Sequence, residues 1–176
     1  MEDPIDETIE AFELLQVQGK IRYYGISSIR PNVIREYVDR SAIVSVMMQY
    51  SLLDRRPEEE CFPLLLKNNI GVLARGAIAK GLLTGKSATD FLNYKKEEVR
   101  KVADAIQSVS VGKQLSPHTA IQFVLRQPAV TSAIVGIRTI QQLEDAAGVM
   151  DRVALTESDY SFLSELLPVN FYDSYR

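Results

Sequence analysis

Apolar residues recur along the chain in two alternating patterns. Ile5, Ile9 and Phe12 follow the i, i+4, i+7 spacing of one helix face, and the next apolar segment is a short β-branched and aromatic run of the kind that forms strands. This alternation continues through the chain. The predicted strands cover residues 21–26, 43–50, 70–74 and 132–135. The second is apolar almost throughout, which predicts burial on both faces, as in parallel sheets.

Helix start signals lie around these strands. Asp3 is a predicted N-cap with Pro4 at the first helical position, and Thr156 with Asp159 resembles a capping box. The predicted helices cover residues 1–19, 58–67 and 95–111, and further helices begin at Pro31, Pro117, Thr139 and Thr156. A long loop, residues 76–94, follows the third strand. Helices that alternate with strands predict an α/β protein with a parallel sheet and right-handed crossovers.

Two architectures fit this order of elements. One is a self-contained doubly wound sheet that is covered on both faces. The other is part of a (β/α)8 barrel, which has eight strands and about 250 residues. The chain has 176 residues and four predicted strands, which corresponds to half of a barrel. A helix precedes the first strand, as expected for a chain that starts in mid-barrel.

Composition and charge exclude several classes of protein. Hydrophobic residues make up 46% and charged residues 24% of the chain, which is typical of globular rather than disordered proteins. The net charge of −3 argues against a nucleic-acid partner, because binding to phosphates needs a basic surface. No apolar run approaches the ~20 residues that span a bilayer, and the acidic start lacks the basic region of a signal peptide. We therefore expect a cytoplasmic enzyme, or part of one, without a membrane partner.

Several familiar catalytic and nucleotide-binding motifs are absent or incomplete. The Rossmann fingerprint does not occur, and three residues separate Gly81 from Gly85 where a P-loop needs four. His118 is the single histidine and is predicted to be exposed at a helix start, and it cannot form a metal site with one cysteine alone. Cys61 lies on an apolar helix stripe and is predicted to be a core residue. The glycine-rich basic loop can still hold phosphate through backbone N–H groups and lysines.

Polar residues follow each predicted strand at its carboxyl end, where barrel active sites are built. Ser27 and Ser28 follow the first strand and Gln49 ends the second. Arg75 follows the third strand and Arg138 the fourth. Hydroxyl, amide and cationic groups at four successive strand ends predict a binding site at this end of the sheet.

Four stretches of the chain resemble the aldo/keto reductase family. They are Gly-Lys-Ile-Arg-Tyr-Tyr-Gly-Ile-Ser at 19–27, Gln-Tyr-Ser-Leu-Leu at 49–53, Gly-Val-Leu-Ala at 71–74 running to Gly-Leu-Leu-Thr-Gly-Lys at 81–86, and Ala-Ile-Val-Gly-Ile-Arg at 133–138 with Gln-Leu-Glu at 142–144. The resemblance implies a single domain, 1–176, that is the C-terminal half of a (β/α)8 TIM barrel, strands five to eight with their helices. A helix within 1–19 would precede the first of these strands, and 168–176 would form a C-terminal tail.

The resemblance also implies a function. Members of the family reduce aldehydes and ketones to alcohols with NADPH. Their catalytic tyrosine, lysine, aspartate and histidine come from the first half of the barrel, and no residue of this chain matches them. We therefore expect the chain to supply the cofactor-binding half and to be inactive alone. The alternative is a non-enzymatic assembly module that associates with itself or with another half-barrel through open strand edges.

Residues on the cofactor side can be assigned position by position from the resemblance. Ser27, Ser28 and Gln49 match contacts to the nicotinamide carboxamide, although many members have asparagine in place of Ser28. Arg75 stands where an aromatic residue usually stacks on the nicotinamide ring, and its planar guanidinium can also stack.

The phosphate and adenosine contacts follow from the same comparison. The implied pyrophosphate loop consists of Ile78, Lys80, Gly81, Leu82, Thr84 and Lys86. The implied 2′-phosphate turn consists of Gly136, Arg138 and Thr139, and the implied adenosine contacts are Gln142 and Asp145. The preference for NADP(H) over NAD(H) rests largely on Arg138. Ala146 replaces the asparagine that usually follows the acidic residue.

Overall fold

The structure is a computed structural model that describes residues 4–110 and 115–175. The helices are α1 (Ile5–Val17), α2 (Pro31–Arg40), α3 (Cys61–Lys67), α4 (Lys96–Val109), α5 (Ser116–Leu125), α6 (Ile140–Ala147) and α7 (Glu157–Glu165). The strands are β1 (Gly25–Ser27), β2 (Ser45–Gln49), β3 (Gly71–Arg75) and β4 (Val130–Ile134). Short 3₁₀ helices cover Arg56–Glu58, Ala79–Gly81 and Gly148–Asp151. No helix in the described ranges is long and apolar enough to cross a membrane.

The four strands form one parallel sheet in the order β1-β2-β3-β4. Ser45 of β2 pairs with Gly25 of β1 and with Gly71 of β3, and Val72 of β3 pairs with Val130 of β4. Each crossover therefore advances by one strand. The order never reverses, whereas a doubly wound sheet reverses at a switch point. The predicted parallel sheet is confirmed, and its topology agrees with a (β/α)8 arrangement rather than with the doubly wound alternative.

The first strand is shorter than predicted, although the Tyr24 carbonyl oxygen still accepts a hydrogen bond of 3.0 Å from the Val44 N–H just before β2. Tyr24 is buried, and its ring stacks on Phe12 of α1 with 5.1 Å between centroids. Pairing with β2 begins only at Gly25, where an added Cβ would lie 2.3 Å from the Ser45 hydroxyl oxygen. The Tyr24 side chain, within the strand-like segment 21–24, therefore holds α1 beside the sheet.

The two faces of the sheet differ in burial, which corrects the prediction that β2 is buried on both faces. Val46, Met48, Val72 and Ala74 are fully buried on the face that carries the helices. The alternate residues of β2, including Met47, are only half-buried. Composition could not reveal this difference, because Met47 and Met48 are equally apolar.

An aromatic cluster holds helices against the end of β2. The Tyr50 ring contacts Phe62 of α3 edge-on at 4.8 Å and stacks near Phe123 of α5, which in turn stacks on Tyr160 of α7 at 4.9 Å. The Tyr50 hydroxyl donates a hydrogen bond of 2.7 Å to Glu58. Burial, together with the nearby Glu58 carboxylate, raises the pKa of Tyr50 far above its usual range. This cluster fixes the segment that leaves the carboxyl end of β2.

Several helix ends agree with their sequence signals, and others do not. The Thr139 hydroxyl caps α6 by accepting the Gln142 N–H at 3.2 Å, and the Thr156 hydroxyl caps α7, so both predicted caps are confirmed. The helix predicted from residue 58 starts at Cys61, because Glu58 belongs to a 3₁₀ turn. The predicted cap at Asp3 and the predicted helix end at Val111 lie outside the described residues.

Cys61 is a core residue, as predicted. Its side chain is buried at the start of α3. Burial raises the pKa of the thiol to about 12. The thiol therefore stays protonated at neutral pH, and its place in the structure is that of a small apolar side chain.

Candidate functional site

Two open concavities lie among the loops at the carboxyl ends of the strands. The first, here called the serine pocket, has a volume of about 540 Å³ beside the end of β1. Its polar lining residues are Ser27, Ser28, Arg30, Tyr37 and Arg75. The second, here called the basic pocket, has a volume of about 770 Å³ beside the end of β4. Its lining includes Ile78, Lys80, Gly81, Thr84, Lys86, Gly136, Arg138 and Gln142.

One wall of the basic pocket is a loop with an unusual backbone. Ala79, Lys80 and Gly81 are consecutive residues with φ angles of 46°, 58° and 90°. The left-handed region costs a non-glycine residue about 1–2 kcal/mol, so two such residues in a row are a strained arrangement. Leu82 is buried beneath the loop and anchors it instead of lining the pocket. Strain of this kind is typical of loops that shape a binding site.

Three cations surround the basic pocket. Lys80, Lys86 and Arg138 are exposed. Their side chains make no hydrogen bond or ion pair with any other described residue. Among the described residues, no carboxylate lines this pocket. Cations without partners around an open pocket attract anions, and a ligand with phosphate groups has the complementary charge.

The N-terminus of α6 faces the same pocket. The Thr139 hydroxyl accepts a hydrogen bond within its cap, so its own proton remains to be donated. The Gln142 side chain accepts the Arg138 N–H at 2.8 Å and thereby fixes the turn. The dipole and free N–H groups of a helix N-terminus favour a negative ligand.

A slot of about 220 Å³ adjoins the basic pocket, with which it shares Ile78, Thr84, Val135, Gly136 and Gln142. Its other lining residues are Pro117, Ile121, Asp145 and Ala146. Apolar walls with a few polar groups are suited to a flat ring that carries polar edges. Pro117, Ile121 and Val135 were not predicted as site residues, and their apolar character gave no signal of such a role.

His118 is buried, so the prediction of an exposed histidine is wrong. Its Nδ1 accepts the Leu115 N–H at 3.1 Å, which leaves Nε2 to donate to the Asp145 carbonyl oxygen at 2.7 Å. The neighbouring groups assign this tautomer. The ring therefore joins the start of α5 to α6, and a helix-start position was misread as a sign of exposure.

In the serine pocket, the side chains of Ser27 and Ser28 differ in their hydrogen bonds. The Ser28 hydroxyl accepts the Arg30 N–H at 3.1 Å. The Ser27 side chain makes no hydrogen bond within the described residues. Ser27 is therefore the freer of the two hydroxyls for a ligand.

Gln49 lines neither pocket but contacts one of the lining residues. Its Oε1 accepts a hydrogen bond of 3.1 Å from Arg75, and its Nε2 donates one of 2.7 Å to Asp54. Asp54 is fully buried and also accepts two hydrogen bonds from Arg56, at 2.7 and 2.8 Å. The hydrogen bond from Arg56 to Asp54 raises the pKa of Arg56. Asp54 and Arg56 were not predicted as site residues, although charges in the segment that follows an apolar strand were a usable signal.

The predicted site residues thus gather at one end of the sheet, but in more than one place. Arg75 lines the serine pocket, and its neighbour Gly76 lines the basic pocket, so the two pockets meet at the end of β3. Asp145 lies only in the slot. Three predicted residues line none of these three cavities: Gln49, Leu82 and Thr139.

These features define a parallel α/β protein with its candidate binding site at the carboxyl ends of the strands. The Aldo/keto reductase family profile matches residues 1–168. The chain belongs to this family of oxidoreductases, and the family resemblance is confirmed.

Individual relatives support the same assignment. The chain is 45% identical to the Uncharacterized oxidoreductase YqkF of Bacillus subtilis (strain 168), over 100% of this chain and 60% of that protein. It is 27% identical to the NADH-specific methylglyoxal reductase of Escherichia coli (strain K12), over 93% of this chain and 54% of that protein. The holo form of the aldo-keto reductase AKR11C1 from Bacillus halodurans is similar with a TM-score of 0.89 and 41% identity, over 99% of this chain and 60% of that one. The chain therefore spans 54–60% of the length of these relatives.

Proposed function

We propose that this chain is the cofactor-binding half of an NADPH-dependent aldo/keto reductase that reduces aldehydes and ketones to alcohols. The observation that carries the proposal is the basic pocket. Three cations without partners in the described ranges, a strained loop and a helix N-terminus converge there. A dinucleotide with a third phosphate supplies the negative charge that this arrangement lacks.

The residues present fit the cofactor. Lys80 and Lys86 would hold the pyrophosphate, and Arg138 with the Thr139 hydroxyl would hold the 2′-phosphate. The slot beside Asp145 would take the adenosine. When bound, the cofactor supplies the hydride that reduces a carbonyl.

The nicotinamide end would lie towards the serine pocket. Ser27 would donate to the carboxamide, and Gln49 would orient it. Arg75, which is exposed, would place a cation beside the ring. A positive charge there would disfavour the oxidised, cationic ring relative to the reduced one.

We further propose that the chain corresponds to strands five to eight of the barrel. The unreversed strand order and the half-buried second face of the sheet support this proposal, because a closed barrel fills its interior with side chains. The chain matches none of the family's four catalytic residues. We therefore expect no carbonyl reduction by this chain alone.

The exposed sheet edges favour a second candidate function, an assembly module. Within the described sheet, β1 and β4 each have one unpaired edge, and Ile134 at the end of β4 is 42% exposed. Open edges promote strand pairing with another chain. Sedimentation at high concentration tests this candidate: self-association supports it, and a uniform monomer contradicts pairing between copies.

Nucleotide binding tests the first candidate directly. We expect the purified chain to bind NADPH more tightly than NADH, and Arg138→Ala to abolish that preference. Arg100→Ala, at an exposed position of α4, is the matched control and should leave the preference unchanged. Equal affinities of the unmutated chain for NADH and NADPH would contradict the proposed specificity.

A further inference from the structure

The amide group of Gln49 is held in one orientation by its two neighbours. A carboxylate only accepts hydrogen bonds and a guanidinium only donates them. The nitrogen must therefore face Asp54, at 2.7 Å, and the oxygen must face Arg75, at 3.1 Å. One lone pair of that oxygen remains for a further donor.

Asp54 is itself held firmly. Its carboxylate is fully buried and receives two hydrogen bonds from the Arg56 guanidinium. Its backbone exchanges hydrogen bonds of 3.0 and 3.1 Å with Ser51, which closes a tight turn. The carboxylate cannot turn away from Gln49 without breaking these contacts.

The stem of Gln49 is also constrained. An added Cβ at Gly76, where φ is +80°, would lie 3.3 Å from Gln49 Cγ. The side chain thus packs against the backbone that leaves β3. Only a rotation of the terminal amide could exchange its donor and acceptor, and Asp54 opposes that rotation.

We propose that Asp54 is a positioning residue that makes Gln49 present an acceptor to the cofactor, and so selects a carboxamide over a carboxylate on the nicotinamide ring. This inference rests on the proposed function. A carboxamide NH₂ can donate to the remaining lone pair of Gln49 Oε1. A carboxylate has no proton to donate and meets another oxygen there.

The Asp54→Asn substitution would weaken the hold on the Gln49 amide. Asp54 Oδ2 accepts from both Gln49 Nε2 and Arg56 Nη2, and an NH₂ in its place would repel the Gln49 NH₂. The Gln49 oxygen would then be drawn to two donors, the new NH₂ and Arg75, and would no longer be fixed as an acceptor for the cofactor. The variant should therefore tolerate a carboxylate better than the unmutated chain does.

Three probes measure this effect by calorimetry without any turnover. They are NADP⁺, its analogue with a carboxylate in place of the carboxamide, and 2′-phospho-ADP-ribose, which lacks the ring. Asp54→Asn should shift the affinity ratio of the first two probes towards the carboxylate by roughly five- to tenfold, the value of one hydrogen bond. Affinity for the third probe should not change. Arg75 is present in the unmutated chain and in the Asp54→Asn variant, so its attraction for the carboxylate cancels when their affinity ratios are compared.

Gln49→Leu keeps the test decisive if the buried Asp54–Arg56 pair proves essential for folding. It should shift the ratio in the same direction, and Asp54→Asn should add nothing in the Gln49→Leu background. An unchanged ratio in Gln49→Leu, or an equal loss of affinity for all three probes in Asp54→Asn, overturns the inference. If the unmutated chain binds 2′-phospho-ADP-ribose but has equal affinity for NADP⁺ and its carboxylate analogue, the inference is wrong and the proposed function stands. A chain that binds none of the three overturns the proposed function and the inference with it.

Discussion

Two groups of charged residues lie at the carboxyl end of the sheet, and they differ in what they contact. Around the basic pocket, Lys80, Lys86 and Arg138 are exposed and their side chains have no partner in the described part of the chain. After β2, the Arg55–Glu58 pair and the Asp54–Arg56 pair are enclosed by protein. Charged side chains are thus open to solvent in one region and paired within the fold in the other.

The difference follows from the cost of desolvating charge. A charge that loses water must gain a partner, and Arg55 meets this requirement with Glu58 at 2.7–2.8 Å and the Ser164 carbonyl oxygen at 2.7 Å. An exposed lysine has no such requirement and remains available to an anion. Availability, rather than residue type, therefore marks the candidate binding site.

The largest effect on stability is expected from breaking the enclosed pairs. Arg55→Ala should lower the free energy of unfolding by about 3 kcal/mol, because Glu58 is left without its guanidinium in a largely buried setting. Arg55 and Glu58 side chains are only 14% and 19% exposed. Chemical denaturation followed by circular dichroism measures the change.

The matched control is the exposed pair of Lys95 and Asp90, whose side chains are 75% and 58% exposed. Lys95→Ala should cost no more than about 0.5 kcal/mol, the usual value of a solvent-exposed pair. Similar losses in Arg55→Ala and Lys95→Ala would show that burial does not separate the two kinds of charge.

A smaller loss is expected from His118→Ala. The substitution leaves the Leu115 N–H and the Asp145 carbonyl oxygen without their partner, which should cost about 2 kcal/mol. It should also weaken binding of 2′-phospho-ADP-ribose, because α6 loses a tether beside the slot. His118→Gln offers a donor and an acceptor and should recover part of both losses. A loss of stability without any loss of affinity would show that His118 supports α5 alone.

Sequence patterns predicted the order and type of the main elements, because each depends on local periodicity. The first strand is shorter than predicted, and the Tyr24 ring ahead of it packs on Phe12, twelve residues earlier, a contact that local periodicity does not signal. Burial of the second strand on both faces was also wrong. Whether the second face is covered depends on neighbouring structure and not on the composition of the strand.

In the candidate site, too, some residues could be assigned from the sequence and others could not. Lys80, Lys86 and Arg138 were assigned from the family resemblance, and the structure places all three at one pocket. The role of His118 depends on a partner elsewhere in the fold, Asp145, 27 residues along the chain, and no spacing in the sequence signals this pairing. The partners of Asp54, Gln49 and Arg56, are close in the chain, but the contact with Gln49 forms only once the turn at Ser51 has closed.

The smallest effect on stability is expected at the basic pocket, from Lys86→Met. Methionine keeps the apolar stem that lies beside Gly81, where an added Cβ would be 3.6 Å from Lys86 Cβ. Removing the charge should change the free energy of unfolding by less than about 0.5 kcal/mol. It should nevertheless weaken binding of 2′-phospho-ADP-ribose several-fold, and added salt should reduce this difference, because exposed charges are screened. Lys67→Met, at the exposed end of α3, is the control and should change neither quantity. A Lys86→Met variant that binds as tightly as the unmutated chain at low salt would show that an uncommitted cation is not by itself a mark of the site.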